Sequence, residues 1–412
     1  MTLRIDAQSQ RTQQFLFAAA AFLLLYTSLR GLYYPHIWAA THSLFSYEFG
    51  LTKRSLIGSA YDLFGCSTCY SYSFFFYASN LLYIANLFLL WRITCRLIKT
   101  GNLAVQLLSI AFCASAGLVY LATTIGWGDH IGLFCVLVSL QIRHFYWRCG
   151  FILVTFSLAI LIHEANYLLF LPVAVASLIA DLNTEKFAPQ LTLVIIICVL
   201  LTLLSLAMAG AMLNLAELEQ LTILMQEKAD FPLHPEAHLV LSRDTDTSVT
   251  FMLRYLAAPS VQKSVLRSLV VSGPTVIVLM TCAAVLIRSK QSPILLRLLI
   301  PMAGLSPYFL YLFGWDLHRW NAMACITAFI AFYLVVELQD NPSKLRQYLP
   351  APKVLPALAA LLIAFNMLVS VPVLHTDSDK NPPFAAVIAF ITDWPISDDD
   401  FPQAPINRSY RN

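Results

Sequence analysis

The sequence predicts an all-α fold, a polytopic transmembrane helix bundle of about eleven spans with interfacial helices in its outer loops. Three observations carry this expectation. Of 412 residues, 58% are hydrophobic and only 12% are charged, about half the charged share of a soluble domain. The apolar residues fall into runs near the length of about 20 that crosses some 30 Å of hydrocarbon. Lys and Arg gather in short clusters between those runs, as topology signals do. A net charge of +3, so dispersed, gives no reason to expect a nucleic-acid partner.

Residues 1–14 are polar and carry Arg4 and Arg11 ahead of an apolar run, Phe15 to Tyr26. No small-x-small cleavage site follows, so this is read as an uncleaved first span near 14–29. Further spans are expected near 72–91, 103–124, 131–146, 150–163, 166–180, 189–210, 268–288, 294–313, 321–337 and 354–374. With the N-terminus cytoplasmic, the basic clusters at 92–99, 143–148, 288–297 and 344–353 all fall inside. The short outer turns near 125–130, 164 and 314–320 then contain one basic residue, Arg319. The stretch 151–180 would run about 45 Å as one helix, with His163 and Glu164 at mid-depth. A hairpin puts that pair at an outer turn and keeps the later basic clusters inside, so a hairpin is expected.

The transmembrane domain is therefore placed at 1–374, with outer loops at 30–71 and 211–267. In the first loop Leu56, Ile57, Ala60 and Leu63 recur at helical spacing within 51–64, and in the second Leu215, Leu218, Thr222 and Met225 do the same. Both read as helices along the outer membrane surface. Residues 375–412 form an acidic, Pro-rich, extracytoplasmic tail with a glycosylation sequon at Asn407. Cys66 and Cys69 form a Cys-x-x-Cys in an outer loop, where a disulfide can persist; unpaired thiols or a metal or redox role remain open.

Four stretches put ionisable groups at the ends of apolar spans, where they are costly unless paired or wet. In Tyr47-Glu48-Phe49-Gly50-Leu51-Thr52-Lys53-Arg54, an acid precedes two cations: Glu48 can take a hydroxyl proton while Lys53 and Arg54 hold a phosphate. Snorkelling side chains on an interfacial helix would explain the same three residues. Asp129 and His130 follow Gly126-Trp127-Gly128 and open a span, as a second acid, a cation ligand or a simple helix cap. His163 and Glu164 sit at the hairpin turn, where the acid can tune the imidazole, although a cap would suffice. Gly314-Trp315-Asp316-Leu317-His318-Arg319-Trp320 is the densest cluster. Asp316 and Arg319 can pair at i,i+3, while a guanidinium is also the side chain best matched to a phosphate.

The first loop, with its acid ahead of a juxtamembrane helix, resembles that of the GT-C glycosyltransferases, polytopic enzymes that use a polyprenyl-phosphate sugar donor on the outer face. Tyr47-Glu48-Phe49-Gly50 departs from their commoner Asp-containing or paired-acid motifs. Ile162-His163-Glu164 and the Asp316–Arg319 stretch are similar to the His-containing and essential-arginine loops of O-antigen and capsule polymerases. The resemblance implies a membrane glycosyltransferase or polysaccharide polymerase in a bacterial inner membrane, with a polyprenyl-linked glycan, membrane lipid and other glycan-assembly proteins as partners. It assigns Glu48, or else Asp129, as base. Arg54 and Arg319 would neutralise the leaving phosphate, and His163, Glu164 and His318 would position sugar hydroxyls. A divalent cation is compatible with these acids, and with no Gly-rich phosphate loop no nucleotide cofactor is expected. A lipid-linked glycan flippase, or a non-catalytic subunit of an envelope assembly complex, are the rival readings. A transporter is expected to show internal repeats and midplane charges, and neither is evident.

Overall fold

Without water in the hydrocarbon layer, backbone groups must pair within each segment, so the apolar runs become helices. A computed structural model describes residues 2–242, 245–289, 294–314, 316–339, 354–369 and 371. The expected tail, the Asn407 sequon, Trp315, Lys290 and the basic cluster at 344–353 lie outside the described residues. In chain order the helices are α1 (Thr2–Arg30), α2 (Ile37–His42), α3 (Leu56–Leu63), α4 (Tyr72–Lys99), α5 (Leu103–Cys113) and α6 (Ala116–Thr123). There follow α7 (Asp129–Ser139), α8 (Phe145–Ile162), α9 (Asn166–Leu169), α10 (Leu171–Ala180), α11 (Phe187–Gly210) and α12 (Leu215–Lys228). Then come α13 (Thr245–Ala257), α14 (Pro259–Ser289), α15 (Ile294–Gly304), α16 (Leu317–Glu337) and α17 (Val354–Leu368). There is no strand among the described residues.

On length and composition the chain is an integral, multi-pass membrane protein. Seven stretches among the described residues can cross a membrane: Gln10–Arg30, α4, Leu103–Thr123, α8, α11, Pro259–Arg288 and α16. The pair formed by α15 and the 3₁₀ turn Ser306–Leu312 is an eighth if counted as one span bent by 57°. Each expected span overlaps helix, yet α7 ends at Ser139 within the span expected at 131–146, and α7, 166–180 and α17 are shorter apolar helices, so eleven full crossings are not established. An 11-residue helix such as α7 rises only about 16 Å.

The stretch 151–180 breaks at His163, whose extended backbone ends α8. Arg148, in the first turn of α8, pairs with Asp181, just beyond α10. The two ends therefore meet, and the segment folds back on itself. At that same end Arg96 of α4 donates to Tyr333 Oη of α16 and to Gln141 Oε1 beyond α7, both at 2.7 Å.

Helix α16 is the centre of the bundle, packed by α14, α6 and α15. Contact there relies on small residues and interhelical hydrogen bonds, since lipid offers no hydrophobic drive between helices. A Cβ at Gly117 would lie 2.8 Å from Cys325 Cβ, Asn321 Nδ2 donates to Ser268 Oγ at 2.9 Å, and Thr327 Oγ1 to the Gly304 carbonyl at 2.8 Å. Phe112 and Phe329 stack with centroids 3.7 Å apart.

The loops at 30–71 and 211–267 share an apolar core, in which Leu44 and Phe45, with Phe76 of α4, meet Leu218, Leu221 and Met225. Lys228 reaches Asp62 at 2.6 Å, and Asp230 accepts from the Tyr72 amide at 2.9 Å, tying the loops together. Helix α3 starts at Leu56 rather than near 51, because Arg54 takes a left-handed backbone (φ 61°) that no helix can include. In α12 the buried stripe is Leu218, Leu221 and Met225, while Leu215, expected on that face, is 80% exposed. Asn214 and Glu217 close a capping box that fixes where α12 begins. Cys66 and Cys69 are joined by a disulfide.

Candidate functional site

Four segment ends meet beneath this cap: the 52–55 turn, the start of α7, the turn after α8 and the start of α16. Asp129 opens α7 and is 0% exposed. Its Oδ2 lies 3.2 Å from Arg319 Nε, and its Oδ1 lies 3.8 Å from His163 Nε2. Arg319 Nε is also 3.4 Å from Asp316 Oδ2, one helical turn back. Asp316 in turn accepts from the Tyr120 hydroxyl at 3.1 Å.

The Arg319 guanidinium lies between two indoles, with its carbon 4.4 Å from the Trp127 ring and 4.2 Å from the Trp320 ring. Such contacts strengthen once water is excluded. Trp320 is itself fixed by donating from Nε1 to the Gly314 carbonyl at 3.1 Å. A side chain at position 314 would strike that ring, since a Cβ would sit 2.9 Å from it. The glycine is thus required by the close approach.

Arg54 grips Glu164 with two prongs, Nε to Oε2 at 3.0 Å and Nη2 to Oε1 at 2.6 Å. Its remaining nitrogen, Nη1, reaches His42 Nδ1 at 3.1 Å. Burial, followed by the positive charge of Arg54, holds His42 well below the usual imidazole pKa, so it meets Arg54 as a neutral acceptor. Burial alone would raise the Glu164 carboxyl. The charge and hydrogen bonds of Arg54 outweigh it and hold Glu164 well below the usual carboxylate range. With side chains 12% and 26% exposed, Arg54 and Glu164 form the rim of the cluster. Asp129, Asp316 and Arg319 form its interior.

The local sequence explains how these turns pack. His163 Nδ1 accepts from the Ala165 amide at 3.2 Å, which leaves the proton of the neutral ring on Nε2, facing Asp129. Asn166 donates to the carbonyls of Gly128 and Ala159 at 3.1 and 3.0 Å, joining the α7 start to the α8 end. Gly128 and Gly132 admit this contact: a Cβ would lie 2.5 Å from His163 Cβ at the first and 2.1 Å from Asn166 Oδ1 at the second.

In the interior two carboxylates share one guanidinium, and hydrogen bonding is incomplete as well. Both Asp129 oxygens, Asp316 Oδ2, His163 Nε2, Arg319 Nε and Nη1, and Trp127 Nε1 are buried without a well-aligned hydrogen bond. Arg319 and Asp129 are close enough to attract and too poorly aligned to bond. Buried groups left in this state are uncommon, and they leave donors and acceptors for a third party.

The other residues singled out from the sequence lie elsewhere or have other partners. Glu48 is exposed and lines a small cleft with Leu221, Met225 and Lys228. Lys53 is buried beside Arg54 in the same turn. His130 faces Thr124, with Nε2 3.5 Å from its hydroxyl and its ring against Tyr83, while its carbonyl accepts from Asn86. His318 Nε2 lies 2.8 Å from Ser264 Oγ of α14. Among the described residues no three His, Cys, Asp or Glu side chains gather as a metal-ligand group. Tyr120, His42 and Asn166 were not expected at the site. Trp127 was legible only as part of the Gly126-Trp127-Gly128 turn, although it stands two residues before Asp129.

No family model matches the chain, and no curated protein or solved structure matches it.

Proposed function

We propose that the chain is a membrane glycosyltransferase or polysaccharide polymerase that draws on a polyprenyl-phosphate-linked sugar or glycan at the outer face of a bacterial inner membrane. In this reading the N-terminus is cytoplasmic, the short helices complete eleven crossings, and the charged cluster faces outward. One observation carries the reading: two arginines and an aspartate from three distant segments converge at one end of apolar helices, with donors and acceptors left unsatisfied. Paired guanidinium groups suit a phosphate leaving group, and a carboxylate beside them suits proton transfer.

In the proposed step the acceptor hydroxyl oxygen bonds to the anomeric carbon and its proton passes to Asp129. The bond from that carbon to the phosphate oxygen breaks, its electron pair staying on the phosphate, where Arg319 and Arg54 meet the charge. Asp129 is preferred to Glu48 as base because Glu48 lies outside the cluster. His163, with its Nε2 proton directed at Asp129, orients the carboxylate. Asp129 is fully buried, so substrate entry is assigned to the rim, where Arg54 exchanges contacts with Glu164 for contacts with phosphate.

Reconstituted transfer from a polyprenyl-phosphate sugar, followed as release of polyprenyl phosphate, tests the proposal. Release that depends on Asp129 supports it. Movement of an intact lipid-linked glycan across the bilayer without release would replace it with the flippase reading. Orientation is tested with single cysteines: Leu215→Cys should label from outside and Glu185→Cys from the cytoplasm, and the reverse pattern overturns the topology.

A further inference from the structure

At the same end of the bundle, outside the charged cluster, α14 presents Lys263, Leu266, Arg267 and Val270 at the i, i+3, i+4, i+7 spacing of one exposed helix face. With Val271 and Val369 they line a cavity of about 400 Å³. Helix α14 has 31 residues, about 46 Å at 1.5 Å each, which exceeds the hydrocarbon thickness by several turns. The excess is at its N-terminal end, where the apolar run has not yet begun and where Ser264 meets His318 at the start of α16. Lys263 and Arg267 therefore lie at headgroup depth, with Val270, Val271 and Val369 below them at the depth of the first methylenes.

A neighbouring face of the helix is already occupied. Ser264, Ser268 and Ser272 bond to His318, Asn321 and Cys325 of α16. Val271 packs with Tyr120, so apolar side chains separate the cavity from Asp316 and Arg319. A molecule seated there lies against the bilayer. In the proposed orientation this is also the outer end, where topology signals do not call for basic residues.

We propose that this groove is a binding site for an anionic glycerophospholipid, its phosphate held by Lys263 and Arg267 and its first methylenes against Leu266, Val270, Val271 and Val369. Two cations above an apolar floor match that chemistry, since each basic residue at a membrane surface favours anionic lipid and the valines favour the chain. The site does not depend on the transferase reading.

Native mass spectrometry of the full chain, delipidated in detergent and then titrated with phosphatidylglycerol, phosphatidylcholine or a polyprenyl phosphate, tests it. Phosphatidylglycerol should be retained about tenfold or more over phosphatidylcholine, and the double variant Lys263→Gln, Arg267→Gln should lose that preference. Val270→Trp fills the cavity and leaves both charges, so it should lower retention of phosphatidylglycerol; it decides the matter if the double variant does not accumulate. Equal retention of the two phospholipids, or unchanged preference in the variants, overturns the proposal. Displacement of phosphatidylglycerol by equimolar polyprenyl phosphate would also overturn it, since the groove would then be a seat for the carrier lipid.

Discussion

Arg319 and Asp129 form the inner ion pair of the cluster, 3.2 Å apart, and the guanidinium carbon lies within 4.4 Å of both the Trp127 and the Trp320 ring. Removing the arginine would leave Asp129 and Asp316 buried without a countercharge, which costs about 3–5 kcal/mol and confounds any loss of activity with loss of fold. Arg319→Lys is the cleaner change. It keeps the charge and loses the planar fork and the stacking. The expected outcome is normal accumulation in the membrane with transfer reduced by about 30-fold, the equivalent of about 2 kcal/mol of desolvated cation–π contact. Near-normal transfer in reconstituted vesicles would remove the guanidinium from phosphate binding.

The two aspartates beside Arg319 should behave differently. Asp129→Asn leaves Arg319 paired with Asp316 but removes the proposed proton acceptor, so transfer should fall by about 10²-fold or more. Asp316→Asn leaves Arg319 paired with Asp129 and still accepts from the Tyr120 hydroxyl, so the loss should be under about tenfold. Turnover rates at matched protein levels check this. Equal losses for the two would make Asp129 a structural countercharge.

Glu48→Gln should leave transfer within about twofold of normal, since a solvated carboxylate outside the cluster contributes little to the field at the reacting atoms. A large fall in the same vesicle assay would return the base to the first loop.

Much of the fold was legible because burial in lipid imposes helices and because Lys and Arg mark the ends of spans. The break at His163 followed from the length of an unbroken helix and from the basic clusters beyond it, and Arg148 pairing with Asp181 bears out the fold-back. Convergence of Arg54, Asp129, Glu164, Asp316 and Arg319 was legible from the expense of charge at helix ends. Partner choice was not. Arg54 takes Glu164, 110 residues away, rather than Glu48 six positions before it, because a left-handed turn at Arg54 sends the side chain beneath the cap. Helix spacing suggested the Asp316–Arg319 contact but could not foresee Asp129 as a second partner. Tyr120 and Asn166 read as ordinary membrane-helix residues until the glycines that let their helices approach are seen in three dimensions. The number of full crossings was not legible, because an apolar run in the sequence does not show whether helices as short as α7 and α17 complete a crossing within a bundle.

Acid should weaken the rim in two separate windows. His42 is held neutral with its pKa below the unfolded value of about 6.5, so the unfolded chain takes up a proton first and stability falls as pH drops through that value. Glu164 is also depressed, from about 4.3 in the unfolded chain, so its contribution is fully present above that pH and is lost as pH falls toward the folded value. Thermal midpoints in detergent from pH 8 to pH 4 check this. His42→Gln should flatten the upper window only, and Glu164→Gln should cost the most above pH 5 and less at pH 4. A Glu164→Gln deficit that is constant with pH would mean the pair contributes through shape rather than charge.

A close steric test lies in the first turn of α7. Gly132 faces Asn166 so closely that a Cβ would lie 2.1 Å from Oδ1 and 2.9 Å from a Phe170 ring carbon. Gly132→Ala must push α9 away, breaking the Asn166 hydrogen bonds to Gly128 and Ala159 that hold the His163 turn over Asp129. Overpacking of this kind costs about 1–3 kcal/mol. Gly150 has open space at the same test, so Gly150→Ala serves as the control. The expected result is a lowered thermal midpoint for Gly132→Ala and a change in accessibility at the rim, read as faster labelling of a cysteine placed at Glu164. Gly132→Ala combined with Asn166→Ala should recover part of the midpoint, because the smaller side chain removes the clash. It should not recover transfer, because the bonds that position His163 remain absent. Recovery of both would show that Asn166 only fills space, and that the His163 turn is positioned by other contacts.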